Sequence, residues 1–526
     1  MNNSTGLIVR DKVNAKLPNI IAIPTTEKAN KQFINTPEKT RQRELGQFLT
    51  PPPIADFMAS LFEACWPDVK LLDAGAGTGT LSTALIKRLC HQMIKPKSIS
   101  LTAYEIDASL IDSLYRSIRY CREECRRAGI VFTDDVYNED FIKAAISMTE
   151  KNLFSTSPRR FNAVIVNPPY RKINSNSSAR LLLRSLGIET SNLYSGFLAI
   201  LSRLVADNGE MVAITPRSFC NGPYFKSFRE EFLEKMSLRR LHVFELRSAA
   251  FKNDNVLQEN VILHAVKSTR KPDKVIISIG SGDHGENRKE RECFYRDVVS
   301  PHDPGMFIHL ITDDSQDIVR IHISKFSASL TDLGLEVSTG KVVDFRAREF
   351  LRPQPEKGTV PLIYPCHFTK SYIRWPRLNG KKPNAIINNT LTKDLLVPEG
   401  IYVLTKRFTS KEEKRRVVAC IYDPDRVSSS FIGFENHLNY FHANGLGLPM
   451  NLARGLSAFL NSSMVDVYFR QFNGHTQVNA TDLRSMKYPS RGELEKLGAH
   501  LGDNIYSQNE LDELLNKEFN IEDQYS

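Results

Sequence analysis

The sequence predicts an α/β protein whose first half is a doubly wound, mostly parallel sheet and whose second half is a mixed α+β region. Between about residues 69 and 268, short apolar runs alternate with amphipathic helical segments, as they do in consecutive βαβ units. A glycine-rich turn follows the first apolar run. After about residue 270 the pattern changes to short strands and proline-containing loops.

The sheet is predicted from five apolar runs and the helical segments between them. The predicted strands are Val69–Asp73, Ile99–Glu105, Phe161–Val166, Met211–Thr215 and Arg240–Glu245. The predicted helices are Leu81–His91, Ala108–Ala128, Leu193–Ala206 and Tyr224–Met236. No helical pattern separates the last strand from Val256–Val266, which is therefore predicted to be an antiparallel strand at the sheet edge.

These patterns divide the chain into four segments. Residues 1–34 are polar and weakly periodic, and are predicted to be an N-terminal arm. Residues 35–269 contain the predicted sheet, and residues 270–490 form the second region. Residues 491–526 are a tail with an amphipathic helical pattern from Gly492 to about Phe519.

Composition, charge and cysteine spacing bear on the partners, the cellular location and the metal content of the protein. The chain has 526 residues and a formal net charge of +10, which suits a polyanionic partner without requiring one. No secretory signal or membrane-spanning apolar run is visible, so we expect a cytoplasmic protein with no membrane partner. The eight cysteines lack metal-ligand spacing, and we expect reduced thiols and no metal.

The glycine-rich turn is a candidate cofactor site. The segment Leu71–Thr80 has the sequence LLDAGAGTGT, in which Gly75 and Gly77 let the backbone approach a ligand closely. Asp73 ends the strand and is placed to hold an amino group. Glu105 ends the next strand and is placed to accept hydrogen bonds from two ribose hydroxyls. This pair favours S-adenosylmethionine, although a dinucleotide enzyme remains the alternative on these residues alone.

A second motif, Asn167-Pro168-Pro169-Tyr170, follows the apolar strand that ends at Val166. An exocyclic amino group on a base is a poor nucleophile because its lone pair is delocalised into the ring. The Asn167 side-chain oxygen and the Pro168 carbonyl can accept both of its hydrogens and stabilise the charge that develops on nitrogen. Tyr170 offers a face on which a base can stack. The motif therefore indicates methyl transfer to such an amino group; a rigid proline turn is the structural alternative.

With these motifs in this order, the chain resembles the gamma-class N6-adenine DNA methyltransferases of type II restriction-modification systems from about residue 43 to 490. The resemblance implies a seven-stranded S-adenosylmethionine-dependent methyltransferase fold followed by a DNA target-recognition domain. It begins at Glu44–Pro51, ELGQFLTP, which precedes the glycine turn. In that family this segment wraps the methionine end of the cofactor, which implies contacts from Gln47, Phe48 and Thr50.

The same resemblance implies further site residues in the catalytic part. Asp140 and Phe141 match the motif that contacts the cofactor adenine, although a helix cap followed by a core phenylalanine fits them too. Phe251 matches the second aromatic ring against the extruded base, and a core phenylalanine is the alternative. Base flipping is likewise implied by the resemblance. Gln258-Glu259-Asn260 also resembles the family, with no chemistry assigned.

A second stretch of resemblance, Gly474–Arg484, lies near the C-terminus and has the sequence GHTQVNATDLR. Its polar residues and two nearby cations are candidates for reading bases or contacting phosphates. The candidates are Lys406, Arg407, His475, Thr476, Gln477, Asn479 and Arg484. A turn followed by a helix capped near Thr481 or Asp482 is an equally good interpretation of the segment. Lys414-Arg415-Arg416 is a further phosphate candidate or a solvated charge run.

The resemblance implies site-specific methylation of adenine N6 in duplex DNA, which protects host DNA from a separate endonuclease that is not stably bound. It suggests a monomer and a short palindromic target such as CTGCAG. A protein-glutamine methyltransferase that modifies release factors is the alternative, because a glutamine amide poses the same delocalised-nitrogen problem. Methylation of an RNA amino group is a further alternative, and so is a DNA-binding subunit without catalytic activity. The lead-in and tail are too short for a fused nuclease domain.

Overall fold

The computed structural model describes residues 46–149, 160–244, 259–280, 288–300, 303–378, 380–409, 413–474 and 476–521. The predicted arm, residues 1–34, lies outside these ranges. No helix in the described ranges is long and apolar enough to cross a membrane. The described residues also contain no group of three or more His, Cys, Asp or Glu side chains able to hold a metal ion.

A nine-stranded sheet dominates the first part of the chain, in the order β3-β2-β1-β4-β5-β7-β6-β8-β9. Its strands are β1 Asp68–Ala74, β2 Ser98–Tyr104, β3 Val131–Tyr137, β4 Phe161–Val166, β5 Val205–Pro216, β6 Met236–Phe244, β7 Asn260–Lys267, β8 Lys274–Gly280 and β9 Lys289–Phe294. Strands β1 to β5 pair in parallel, and β7 is antiparallel to both of its neighbours, β5 and β6. The predicted mostly parallel sheet with an antiparallel strand is therefore present. The antiparallel strand β7 is not at the sheet edge as predicted, because it lies between β5 and β6.

Helices connect these strands and cover both faces of the sheet. They are α1 Pro52–Ser60, α2 Thr80–His91, α3 Ile111–Ala128, α4 Phe141–Thr149, α5 Ser178–Ser185, α6 Leu193–Leu204 and α7 Lys226–Lys235. Successive residues of a strand point to opposite faces. In β4, Val164 and Val166 join one buried cluster while Ala163 and Ile165 join another. The two clusters are the two apolar layers of a doubly wound sheet.

Two further expectations about this sheet need correction. The sheet has nine strands, not seven, and it continues past the predicted boundary at residue 270 as far as Phe294. Strand β8 pairs in parallel with β6 and buries Val275 and Ile277, while β9 runs antiparallel at the sheet edge. The charged residues of β9 are typical of a solvent-facing edge strand.

The chain after β9 contains two smaller sheets and seven helices within the described ranges. The four-stranded sheet has the order β10-β18-β15-β16, and the five-stranded sheet β11-β13-β12-β17-β14. The strands are β10 Glu336–Thr339, β11 Leu351–Arg352, β12 Thr359–Ile363, β13 Ala385–Ile387, β14 Leu396–Pro398, β15 Tyr402–Lys406, β16 Ala419–Tyr422, β17 Phe431–Phe434 and β18 Leu438–His442. The helices are α8 Tyr295–Val298, α9 Asp314–Lys325, α10 Met450–Leu460, α11 Ser463–Phe472, α12 Ala480–Ser485, α13 Arg491–Leu501 and α14 Gln508–Glu518.

The predicted tail helix is interrupted. Helices α13 and α14 each begin with a capping box, from Ser490 with Glu493 and from Ser507 with Glu510. Gly502 ends α13 with a positive φ of 54°. Because this amphipathic stretch contains two N-terminal capping boxes and a glycine that ends the first helix, it forms two helices rather than one.

Candidate active site

The predicted cofactor and catalytic residues meet at one edge of the nine-stranded sheet. Strands β1, β2 and β4 are parallel, so the residues at and just after their carboxyl ends lie side by side. The glycine turn leaves β1, Glu105 follows β2, and Asn167 follows β4. The backbone N–H groups of Gly75 and Ala76 donate to the Tyr104 carbonyl, at 2.9 and 2.8 Å, and fix the turn against β2.

Gly75 leaves open space at this edge. Its φ is +90°, a conformation that residues with a side chain rarely adopt, and a Cβ built there meets no heavy atom within 4 Å. Any other residue at this position would therefore be strained by its backbone conformation, although its Cβ would meet no neighbouring atom. The space beside Gly75 suits a ligand that approaches the main chain closely.

Glu105 is the centre of a hydrogen-bond set in the cofactor region. Its carboxylate accepts from the backbone N–H groups of Gly77 and Asp107, both at 2.7 Å, and from Nε2 of Gln47 at 2.9 Å. The side chain is buried, and desolvation raises its pKa above the usual value against the effect of these donors. Glu105 thus ties the predicted Gln47 segment to the glycine turn.

Asp73 is fully buried beneath the same turn. One carboxylate oxygen accepts from the Ser82 hydroxyl, and the other has no hydrogen-bond partner among the described residues. Burial raises the pKa of this carboxyl to about 7. A buried acceptor without a donor lowers the stability of the fold. The ammonium group of an amino-acid ligand would supply the missing donor.

The side chain of Asn167 is fixed by hydrogen bonds that its amide nitrogen donates to the segment containing Phe48 and Thr50. Nδ2 donates to the Phe48 carbonyl at 2.6 Å and to Oγ1 of Thr50 at 3.0 Å. A carbonyl only accepts, so the nitrogen must face Phe48 and the side-chain oxygen must face the other way. That oxygen, Oδ1, is buried and has no donor within the described part of the chain. An amide fixed in this way presents one acceptor to a substrate.

The motif around Tyr170 packs against the same N-terminal segment. The Tyr170 N–H donates to the Gly46 carbonyl at 2.9 Å, and the Tyr170 and Phe48 rings lie 5.4 Å apart between centroids. Pro168, between Asn167 and Tyr170, is buried. The structure therefore brings together Gln47, Phe48, Thr50, Asn167, Pro168 and Tyr170, which the sequence separates by more than a hundred residues.

The remaining predicted site residues of the catalytic part are Asp140 with Phe141, and Phe251, and the two predictions have different outcomes. Asp140 accepts from the Ile142 N–H at 2.9 Å at the start of α4, and Phe141 is buried edge-on to Tyr104. This is the helix-cap and core-phenylalanine arrangement, and it stands beside the carboxyl end of β2. Phe251 lies outside the described residues, so its predicted role stays a prediction.

The predicted DNA-contacting residues fall on neighbouring segments after β9. The Val478 N–H donates to the Arg407 carbonyl at 2.7 Å, and Phe408 forms an isolated antiparallel β-bridge with Gln477. Lys406, Arg407 and Gln477 are half-buried, and Thr476 is exposed. Arg484 is exposed and donates to the Val337 carbonyl at 2.8 Å. His475 lies outside the described residues.

Asn479 caps α12, in a capping box with Asp482, so the helix start predicted near Thr481 or Asp482 moves to Asn479. Asp482 is fully buried and also accepts from the side chains of Asn221 and Asn473, at 3.4 and 3.2 Å. Desolvation raises its pKa to about 6. Gly474 donates its N–H to Asn221 as well. These contacts form a buried polar junction between the turn after β5 and the Gly474–Arg484 segment.

Arg416 corrects another expectation. It was a candidate phosphate contact within a charge run, yet it is only 1% exposed. Its guanidinium donates to Thr409 and, at 2.7 Å, to Oδ1 of Asn473. The cation is enclosed by acceptors, so it stabilises the fold beside the junction and does not face a phosphate.

Sequence reasoning missed three residues around the motif. The Tyr194 hydroxyl lies 2.7 Å from Oγ of Ser218, and its ring meets that of Tyr170 edge-on at 6.4 Å. The amide of Asn260, beside Pro216 in the sheet, is buried with neither polar atom hydrogen-bonded within the described residues. Tyr194 and Ser218 lie in no local motif, whereas Asn260 belongs to the Gln258-Glu259-Asn260 segment, to which the sequence assigns no chemistry.

Comparisons with known proteins identify the family of this chain. A family model described as Eco57I restriction-modification methylase matches residues 91–251. The chain is 42% identical over 503 residues to the type II methyltransferase M.PstI of Providencia stuartii, covering 96% of this chain and 97% of that protein. It is 46% identical over 486 residues to the type II methyltransferase M.BsuBI of Bacillus subtilis, covering 90% and 95%.

Among solved structures, the methyltransferase subunit of a type I restriction-modification system from Streptococcus thermophilus is 18% identical with a TM-score of 0.35, covering 52% of this chain and 61% of that one. The sequence identity to the two type II enzymes extends over nearly the whole of each chain. The chain therefore belongs to the type II methyltransferases of restriction-modification systems.

Proposed function

We propose that the protein transfers the methyl group of S-adenosylmethionine to the N6 amino group of adenine in a short duplex DNA sequence. The observation that carries this proposal is the fixed orientation of Asn167, whose Oδ1 is a buried acceptor with no donor among the described residues. An acceptor at this position, next to a cofactor edge, suits an amino group that must lose its planarity to react.

The residues at the sheet edge suit the cofactor. Asp73 offers an unpaired carboxylate oxygen for the ammonium group, and Gly75 leaves room for close approach. Glu105 would exchange part of its present hydrogen-bond set for ribose hydroxyls, and Gln47, its side-chain partner, would adjust with it. Asp140 and Phe141 would border the adenine. When bound, the cofactor supplies an activated methyl group on a sulfonium.

The catalytic residues act on the acceptor nitrogen. Oδ1 of Asn167 and the Pro168 carbonyl would each accept one hydrogen of the amino group, which favours pyramidal nitrogen and stabilises its growing positive charge. Tyr170 would stack on the extruded base, with Phe251 on the second side. Alignment of nitrogen, methyl group and sulfur then supplies much of the rate.

The region after Phe294 is proposed to choose the DNA target. Lys406, Arg407 and Arg484 would contact phosphates or bases, and Thr476, Gln477 and Asn479 would supply further polar contacts, with His475 beside them. The net charge of +10 favours a polyanionic substrate. We propose a monomer that acts independently of its cognate endonuclease in the bacterial cytoplasm.

The test is methyl transfer by the purified full chain with labelled S-adenosylmethionine. The substrates are duplex DNA containing CTGCAG, a duplex of permuted sequence, genomic DNA lacking adenine methylation, and a peptide release factor. We expect label in DNA, recovered as N6-methyladenine after digestion to nucleosides. Label in cytosine contradicts the adenine proposal, and label in the release factor alone favours the protein-glutamine alternative. Sequencing the methylated genomic DNA identifies the target.

A further inference from the structure

The turn that follows β10, residues 341–348, exposes an aromatic side chain to solvent. We call it the Phe345 turn. Phe345 is 77% exposed, and the Arg346 guanidinium carbon lies 5.5 Å from the centroid of its ring. A phenylalanine in water forgoes the stabilisation that burial of its ring would give. An aromatic ring exposed in this way is available for contact with a partner outside the fold.

The Phe345 turn is anchored on both sides of the ring. Val342 and Ala347 are buried, and the N–H groups of Arg346 and Ala347 both donate to the Val343 carbonyl at 3.0 Å. Asp344 accepts from the Tyr364 hydroxyl at 2.7 Å and from Nζ of Lys382 at 2.6 Å. Moving Phe345 into the core would break these bonds, so its exposure is imposed by the turn.

The charge around the ring is mostly positive. Lys341, Arg346 and Arg348 are exposed, while the carboxylate of Asp344 is paired with Lys382. Glu349 is the one other carboxylate within residues 341–349, and it is exposed. Cations beside an exposed aromatic ring suit a partner with phosphates and stacked bases.

The Phe345 turn is joined to the predicted DNA-contacting residues by a second turn, Asn436-His437. Asn436 donates its N–H to the Val342 carbonyl at 2.9 Å and accepts from Nη1 of Arg407 at 3.1 Å. The Phe408 and His437 rings are both partly exposed and lie 4.8 Å apart between centroids. Arg407, which contacts the Gly474–Arg484 segment, and Val342, at the start of the Phe345 turn, are thus both hydrogen-bonded to Asn436.

We infer that Phe345 is an aromatic wedge that stacks on the bases of duplex DNA at a step beside the target, with Arg346 and its neighbouring cations on the flanking phosphates. This inference rests on the proposed function, and it adds the 341–348 turn to the DNA-contacting surface. Apolar side chains that enter a base step in this way unstack it and bend the duplex, which lets more of the protein reach the DNA.

The test compares the full-length Phe345→Ala and Phe345→Trp variants by fluorescence anisotropy with duplex DNA that the wild-type chain methylates. We expect Phe345→Ala to weaken binding about tenfold, because one stacking contact is lost, and Phe345→Trp to bind within about twofold of wild type. The dependence of affinity on salt should keep its slope in Phe345→Ala, whereas Arg346→Ala should lower that slope by about one.

Ile94→Ala is the matched control. Ile94 is another exposed apolar side chain, but it precedes β2 and so lies at the sheet edge opposite the candidate site. Its replacement should leave DNA affinity unchanged. Equal affinity of wild type and Phe345→Ala overturns the wedge alone. Sedimentation velocity shows whether the wild-type chain self-associates. If Phe345→Ala abolishes such association without changing DNA affinity, the ring contacts a second copy of the chain, and that result also overturns the wedge. If the wild-type chain neither methylates nor binds any duplex DNA, both proposals are overturned.

Discussion

The carboxyl edge of the large sheet and the buried polar junction near the C-terminus use similar side chains in opposite ways. At the edge, Asp73 and Asn167 each keep a buried oxygen with no donor among the described residues. At the junction, the carboxylate of Asp482 is surrounded by donors from Asn221, Asn473 and Asn479. Unsatisfied polar atoms cost stability and are kept where a ligand completes them, whereas satisfied networks hold a fold together.

The largest expected effect is at Asn167. Asn167→Ala should lower single-turnover methyl transfer by about 10²–10³, as for loss of one hydrogen-bond partner of a transition-state charge, with little change in DNA affinity. Asn162→Ala is the matched control: Asn162 lies near the start of β4, the strand that Asn167 follows, and both its amide atoms are bonded within the fold. Near wild-type rates in Asn167→Ala would remove the central element of the mechanism.

A smaller effect is expected at Asp482, and on stability rather than chemistry. Asp482→Ala leaves several buried donors without an acceptor and should lower the free energy of unfolding by about 3 kcal/mol, measured by urea denaturation. Arg484→Ala, an exposed change on the same helix, should alter stability by less than about 0.5 kcal/mol and weaken DNA binding instead. If the two variants are equally stable, the junction is not a structural network.

The smallest effect, at most about tenfold for each pH unit, is a pH dependence at Asp73. Because its folded pKa, about 7, exceeds the ordinary 3.8, this carboxyl favours the folded state at low pH, and that contribution is lost as pH rises from about 4 to 7. A cationic ammonium group prefers the ionised form. Affinity for S-adenosylmethionine should therefore increase up to about tenfold per pH unit below 7 and level off above it. Calorimetry on Asp73→Asn should show weaker binding without this slope; an unchanged slope would assign the titration to another group.

Local sequence patterns predicted the parts of the molecule that depend on local chemistry. Apolar runs located the central strands, and polar residues at their carboxyl ends located Glu105 and Asn167, because parallel strands bring such positions together. Strand β3 was missed because its alternating polar residues and edge position weaken the apolar signal. Strands β8 and β9 were assigned to the second region because charged residues surround their short apolar core.

Long-range pairings were beyond the reach of these patterns. Asn221 and Asp482 are 261 positions apart, and neither residue carries a motif that names the other. Arg416 looked like part of an exposed charge run because its acceptors, Thr409 and Asn473, are provided by the fold. Tyr194 and Ser218 lie near Tyr170 only because α6 and the turn after β5 pack together.

The contact between Gly474 and Arg217 bears on how target specificity can be exchanged among related enzymes. A Cβ at position 474 would lie 2.9 Å from Cγ of Arg217 and 3.0 Å from its backbone carbon, so only glycine fits against this turn. A chimaera that takes its C-terminal half from a relative must bring a glycine to this position and a compatible partner for Asn221. We therefore expect recombination between such genes to preserve the fold best when residues 217–221 and 474–482 are inherited together.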